Sequence, residues 1–387
     1  MLNHVLYASN SKLPSRHANS VQVAHMICAL APLVHNLDVY LADGFSRVLN
    51  RWTGRTFTHY GLHKPANAHI HFVTNRRARP FGSAALAALP SKADLLITRS
   101  APLALAWAEQ GRPVLFESHV PPRDASAVSI PSLITGINTA PGAGLVAISE
   151  AVGATYLSWG LREQKLLIAH DGVDLAAFAR PVHRQADPHK SGALARLFGP
   201  RIHERPVMLY TGSLSPQKGA LFLAQAAAFL PDIHIALVGG TAEECAALRT
   251  QTGPGVFIHS SVAHKAIPAL LHDADMLVMP YLDSGDLIPF MSPLKLFEYL
   301  ASGTPVLSAD VPVLRSVLDP GQNCQLFTPG SVHALGLAVQ TLTTMTEPER
   351  QALQLRQENT AASYTWAKRA QNILAWQKEL CAGGCHD

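Results

Sequence analysis

Val207-Met-Leu-Tyr-Thr-Gly-Ser-Leu-Ser-Pro-Gln-Lys-Gly219 reads as a strand, a loop and the start of a helix. The apolar run ending at Tyr210 is continuous, as in a parallel strand covered on both faces. Gly212 and Ser213 open a polar loop, and a helical pattern takes over near Ala220. A helix that begins just after a parallel strand presents unpaired backbone N–H groups and the positive end of its dipole, which together attract an anion. Lys218 adds a point charge suited to a phosphate. Gly-Lys-Ser/Thr is absent, so this is not a P-loop. An ordinary strand–helix turn with a surface lysine is the plainer alternative.

The same alternation extends in both directions. Toward the N-terminus, strand candidates are His4–Ala8, Asp38–Ala42, Ile70–Val73, Leu95–Thr98, Val114–Glu117, Leu145–Ile148 and Leu166–Ala169, with helical patterns such as Val21–Val34 and Ala84–Leu89 between them. After the quoted stretch come Ile233–Val238, Val256–Ile258, Met276–Met279, Pro305–Leu307 and Gln325–Phe327 as strands. Ala220–Leu230, Ala242–Thr250, Ala266–Asp273, Pro293–Ser302 and Val332–Thr344 alternate with them as helices. This βαβα order predicts an α/β chain of parallel sheets with helices on both faces. The polar run Arg180-Pro-Val-His-Arg-Gln-Ala-Asp-Pro-His-Lys-Ser-Gly192 interrupts the pattern, which then restarts. Two Rossmann-like, doubly wound domains are expected, over 1–180 and 196–361, with a linker at 181–195 and a helix and tail over 362–387, for which packing back across the interdomain cleft is one arrangement. The 387 residues suit two such cores.

Composition narrows the function. With 48% apolar and 15% charged residues the chain is not disordered. The formal net charge of +4 fits a phosphate-bearing ligand or an anionic membrane surface, and equally a solvated surface with a slight excess of Lys and Arg. No run approaches the ~20 apolar residues of a membrane span, and Met1-Leu2-Asn3-His4 does not open like a signal peptide. The five cysteines, Cys28, Cys245, Cys324, Cys381 and Cys385, are scattered, which argues against a disulfide framework and for a reducing cytoplasm. Cys381-Ala-Gly-Gly-Cys385-His386 reads as a flexible tail, since no second pair of metal ligands accompanies it. Arg76, Arg77 and Arg79 cluster without interleaved aromatics, so nucleic-acid binding is unsupported. Neither a Ser-His-Asp order nor His-Glu-x-x-His is present.

Three further loops could carry chemistry. In Ser292-Pro-Leu-Lys-Leu-Phe-Glu-Tyr-Leu-Ala-Ser-Gly303, Ser292 is read as the N-cap and Pro293 as the first helical residue. Leu294, Phe297 and Ala301 would face the core. Lys295 and Glu298 would lie on a neighbouring face, either as a surface ion pair or as a phosphate and ribose-diol site. Ser11–Val21 follows the first strand where a nicotinamide or flavin enzyme would show Gly-x-Gly-x-x-Gly, and that fingerprint is missing. Glu117 and His119 follow a buried strand, where a lone histidine is as readily structural as functional.

Taken in order, these loops resemble the retaining family 4 glycosyltransferases of the two-domain GT-B fold, of the Ser-Pro-x-Lys-x-Phe-Glu-Tyr type. The resemblance is carried by Leu209-Tyr-Thr-Gly-Ser-Leu214 with Lys218-Gly219, Ile235-Ala-Leu-Val-Gly-Gly240, Ala274-Asp-Met-Leu-Val-Met-Pro280 and Ser292–Ala301. Pro14-Ser-Arg-His-Ala-Asn-Ser-Val21, Phe116-Glu-Ser-His119, Ile148-Ser-Glu150 and His170-Asp-Gly-Val-Asp174 add to it. It implies transfer of a sugar from a UDP- or GDP-linked donor, with no metal and no other cofactor. Gly212, Ser213 and Lys218 would bind the donor diphosphate. Ser292, Pro293, Leu294 and Lys295 would hold phosphates and sugar, and Glu298 would bind the ribose. The backbone near Val262 would meet the base, and Asn19 and Ser20 would face the diphosphate. Glu117 and His119 would stand on the acceptor side, in the N-terminal domain, with His119, Lys218 and Glu298 as the catalytic set. Bacterial cell-surface polysaccharide or glycolipid assembly is the implied context. A cytoplasmic enzyme would be held at the inner face of a membrane by residues such as Arg47, Arg51, Arg55, Arg76 and Arg77. Two departures keep alternatives open. Ser213 stands where the family often has Arg, and Phe290 stands eight residues before Glu298 where the family has another Glu. A catalytically silent nucleotide-binding subunit, or a GT-B epimerase or phosphorylase, are those alternatives.

Overall fold

The computed structural model describes residues 2–15, 17–42, 53–73, 89, 92–122, 128–180, 192–283 and 285–382. The chain divides into two compact units. One comprises Met1–Gly172, Phe290–Ser292 and Trp366–Asp387, and the other Val173–Pro289 and Pro293–Thr365.

Among the described residues, the N-terminal unit contains β1 (Leu2–Ser9), β2 (Val34–Ala42), β3 (Ala68–Val73), β4 (Leu95–Thr98), β5 (Val114–Ser118), β6 (Gly144–Ala147) and β7 (Leu166–Ile168). They form one parallel sheet in the order β3-β2-β1-β4-β5-β6-β7. The C-terminal unit contains β8 (Val207–Thr211), β9 (His234–Val238), β10 (Val256–His259), β11 (Met276–Met279), β12 (Val306–Ala309) and β13 (Gln325–Phe327). Their order is β10-β9-β8-β11-β12-β13, again parallel throughout. Both units are therefore Rossmann-like, as the sequence pattern predicts, and the expected strands fall within a few residues of the observed ones. The reason is burial: every residue of β4, β5, β6, β8, β9, β11 and β12 is buried, so helices must cover both faces and the strands are mainly apolar, with buried polar exceptions such as Glu117 and Ser118 at the end of β5.

Several expectations need correction or fall elsewhere. Of the helix expected at Ala84–Leu89, residues 84–88 lie outside the described residues, as do 181–191 of the expected linker. The end of that linker is ordered: Ala193–Phe198 is a helix whose Leu194 N–H donates to Asp273 at 2.7 Å. The helical segment after Glu347 is broken into Glu347–Ser363 and Trp366–Ala382. At the break, the Tyr364 carbonyl accepts from Val173 N–H at 2.9 Å instead of continuing the helix. The last helix belongs to the N-terminal unit, where it packs on the helix Ala18–Leu30. Cys381 is part of that helix rather than of a loose tail, and Gln377 Nε2 donates to its sulfur at 3.0 Å. Cys385 and His386 lie outside the described residues.

Candidate functional site

Strand order reverses at a central pair in each sheet, β8/β11 in the C-terminal unit and β1/β4 in the N-terminal unit. In open α/β sheets, ligands gather at the carboxyl ends of the strands beside such a reversal.

In the C-terminal unit, Gly212 follows β8 with φ +142°, and a Cβ there would lie 2.7 Å from Lys295 Nζ. The positive φ favours glycine at this strand end, and a Cβ would press on the tip of the Lys295 side chain. Gly219, at φ +78°, closes the loop so tightly that a Cβ would overlap the Pro280 carbonyl after β11. Lys295 is the second residue of the helix Leu294–Ser302. Its ammonium lies 3.9 Å from the Tyr210 ring centre and 5.6 Å from that of Tyr281. The Lys218 ammonium lies 4.9 Å from the same Tyr281 ring. Lys295 Nζ is buried and has no hydrogen-bond partner among the described residues. Burial first, and then the charge of Lys218, push the Lys295 pKa well below the usual lysine value. Burial lowers that of Lys218 as well. Two ammonium groups thus share an aromatic floor without a hydrogen-bonded counter-charge, and an anion would satisfy both.

One turn along the same helix, Glu298 is 8% exposed, so it does not form the exposed pair that its spacing from Lys295 allows. Its Oε1 lies 2.7 Å from His264 Nε2. Burial opposes charge on His264, but the Glu298 carboxylate outweighs this by charge and hydrogen bond, and the His264 pKa rises. Val262 lies two residues before His264, in the loop after β10, partly buried. Ser213 is exposed; its carbonyl accepts from Tyr210 Oη at 2.6 Å. The N-cap of the helix is Pro293, extended at φ −77°, ψ 125°, and Leu294 is its first residue. Ser292 is therefore not the N-cap. Its hydroxyl accepts from Asp171 N–H at 3.0 Å, and it belongs to the N-terminal unit. Pro293, with no side-chain acceptor of its own, leaves the first-turn N–H groups of the helix without a side-chain cap.

In the N-terminal unit, a cavity of about 170 Å³ is lined by Ser9, Asn10, Ser11, Asn19 and Arg99, beside the β1/β4 reversal. Ser20 is buried and its hydroxyl donates to Lys12 O at 2.9 Å, so it ties the loop to the helix. Glu117 is 2% exposed. Its Oε1 accepts from Gln22 Nε2 and faces His119 Nε2, both at 2.6 Å. Its Oε2 lies 3.4 Å from Arg369 Nη1. Burial alone would raise the Glu117 carboxyl, but Arg369 and His119 outweigh it and hold it well below the usual carboxylate range. Burial and Arg99 push His119 down, against the pull of Glu117. Burial raises Asp171, whose Oδ1 is buried without a partner among the described residues. The arginines Arg47, Arg51, Arg76, Arg77 and Arg79 lie outside the described residues, as does the Arg55 side chain.

Sequence reasoning missed His264, Tyr281, Arg99, Gln22, Asp171 and Arg369. Position at a strand's carboxyl end could have flagged Arg99, which directly follows β4, and Tyr281, two residues after β11. Arg369 sits mid-helix in an amphipathic run and carries no local signal.

Residues 205–345 match the family described as Glycosyl transferases group 1. No curated protein sequence matches the chain significantly. Among solved structures, the chain is similar to Anabaena Alr3699/HepE in complex with UDP and glucose, at 18% identity and TM-score 0.70, over 96% of this chain and 98% of that one. It is similar to sucrose-phosphate synthase from Thermosynechococcus elongatus at 17% identity and TM-score 0.70, covering 98% and 100%. It is similar to α,α-trehalose 6-phosphate synthase from Burkholderia multivorans at 14% identity and TM-score 0.69, covering 99% and 100%. Fold and matched domain together define a glycosyltransferase of the GT-B class. Among the described residues, no helix is long and apolar enough to cross a membrane.

Proposed function

We propose that the chain is a retaining glycosyltransferase that takes a sugar from a uridine or guanosine diphosphate donor. One observation carries this: the Lys295 ammonium is buried without a hydrogen-bond partner among the described residues at the switch point of the C-terminal sheet, with Lys218 beside it. A diphosphate supplies the missing acceptors. As the bond from the anomeric carbon to the phosphate oxygen loosens, negative charge grows on the leaving diphosphate. Lys218, Lys295 and the uncapped N–H groups of Leu294–Lys295 stabilise that charge, which lowers the barrier without requiring a metal. Glu298, fixed by His264, accepts the ribose hydroxyls, and Gly212, Ser213 and the Val262 backbone complete the donor contacts. His119, with Glu117, meets the reacting sugar or the acceptor hydroxyl.

Retention, and an acceptor belonging to bacterial surface polysaccharide or glycolipid, rest on the family resemblance of Ser292–Ala301 and the loops matched with it. The Anabaena structure with bound UDP and glucose supports the donor class. A cytoplasmic enzyme at the inner face of a membrane fits that acceptor.

The test is thermal unfolding with nucleoside diphosphates, followed by a transfer assay. Ligand at about 100 times its Kd stabilises by ~2.7 kcal/mol. Lys218→Ala and Glu298→Ala should each lower transfer at least tenfold while far-UV circular dichroism stays native, since a charge-assisted contact contributes ~1.5–3 kcal/mol. No shift in Tm with any nucleoside diphosphate, or full activity in both variants, refutes the site.

A further inference from the structure

The N-terminal unit holds a chain of polar groups whose members lie far apart in sequence. Arg369 is 5% exposed and comes from the last helix. Its Nε donates to His170 O at 2.9 Å, and its Nη1 donates to Glu117 Oε2 at 3.4 Å and to Met26 Sδ at 3.3 Å. Glu117 is fixed on a second side by Gln22, whose own Oε1 accepts from Arg99 at 3.3 Å. The oxygen that accepts from Gln22, Glu117 Oε1, also meets His119 Nε2 at 2.6 Å.

An ionised carboxylate only accepts, so the ring nitrogen facing it must carry a hydrogen. Glu117 is kept ionised by a buried arginine, and burial with Arg99 disfavours the imidazolium. His119 is then neutral and protonated at Nε2. Nδ1 makes no hydrogen bond among the described residues and is left as an acceptor. Besides Glu117 on its own strand end, the groups bearing on the ring's charge are Arg99 after β4 and Asp171 after β7. Tyr7 on β1 is buried near Glu117, Arg99, Arg369 and Asp171.

We propose that Arg369 is a positioning residue for His119: through Glu117 it fixes the Nε2–H tautomer and presents Nδ1 as the acceptor for a substrate hydroxyl. The role of His119 toward substrate rests on the glycosyltransferase activity proposed above; its tautomer does not. The C-terminal helix thereby contributes to the site of the N-terminal unit, although none of its residues needs to touch substrate. A buried arginine kept only for folding would have no reason to govern one histidine's tautomer.

The test is ¹⁵N NMR of histidine-labelled full-length protein, with His119 assigned by difference from His119→Gln. The wild type should show a pyrrole-type Nε2 and a pyridine-type Nδ1 for His119 from pH 6 to 8. Arg369→Lys keeps the charge and should keep that pattern. Arg369→Met should mix the tautomers or bring the ring's titration into that pH range. In transfer assays, Arg369→Met should lower kcat at least tenfold with the donor KM within about threefold, and Arg369→Lys should recover most of the loss. If Arg369→Met does not fold, Gln22→Met removes a second support of Glu117 and should disturb the same signals. An Nδ1–H tautomer in the wild type, or unchanged His119 signals in a folded Arg369→Met or Gln22→Met, overturns the proposal. Absence of any transfer activity would strike the proposed function alone, because the tautomer is read without turnover.

Discussion

Replacing Lys295 by Met should move stability and ligand affinity in opposite directions. In the free protein the Lys295 ammonium is buried, without a hydrogen-bond partner among the described residues and 3.9 Å from the Tyr210 ring centre. Its cation–π contact contributes up to ~2 kcal/mol. Its desolvation costs several kcal/mol per ion, and replacing buried charges by apolar groups of similar volume is typically neutral or stabilising by ~1–4 kcal/mol. The lowered pKa limits that cost, since the group can shed its proton. Met keeps the length and the apolar stem. The unliganded Tm of Lys295→Met should therefore be unchanged or raised by a few degrees, at about 2–4 °C per kcal/mol for a unit of this size. With a diphosphate bound, the balance reverses. A charge-assisted hydrogen bond contributes ~1.5–3 kcal/mol, so the Kd for UDP or GDP should rise roughly 10- to 150-fold. Thermal scans without ligand, and calorimetric titration with it, measure both. A bound anion opposes the burial that lowers the Lys295 pKa, so diphosphate binding should shift that pKa upward. Wild-type Kd values in Lys295→Met would refute this account. So would a drop in unliganded Tm of more than about 5 °C, because the ammonium would then have a structural partner.

Two more consequences concern stability. The folded-state pKa of His264 is raised, so its pairing with Glu298 stabilises fully below the unfolded value of ~6.5 and is lost as pH rises through the folded value. His264→Gln forgoes a charge-assisted bond of ~1.5–3 kcal/mol. In urea melts it should be most destabilising at pH 6 and least at pH 9, and an equal loss at both would contradict the ion pair. Gly219→Ala must accept both a left-handed backbone and an overlap with the Pro280 carbonyl, whereas Gly111→Ala, at φ +67° with nothing within 4 Å, meets only the positive φ. The left-handed conformation costs ~1–2 kcal/mol. Gly219→Ala should lose clearly more than Gly111→Ala, and equal midpoints would show that the loop moves aside.

The two parallel sheets were legible because a strand covered on both faces is apolar along most of its length, and such runs separated by helical spacing leave little else to build. The loops after β1 and β8 could be singled out for the same reason, since chemistry on such sheets gathers at strand ends. Lys218, Lys295 and Glu298 were legible as chemical types and not as environments. Sequence spacing left Lys295 and Glu298 open as a surface pair, and only packing shows one ammonium under two tyrosine rings and the carboxylate turned to His264. The N-cap at Pro293 was likewise out of reach, because Ser292 has the right side chain and the tertiary structure gives its hydroxyl to the Asp171 N–H. Gln22, Glu117 and Arg369 are 95 and 252 residues apart along the two links they make. A hydrogen bond between side chains at such separation leaves no periodicity for a sequence to display. It exists because burial in the N-terminal unit forces each charge to find a partner there, whichever part of the chain supplies it.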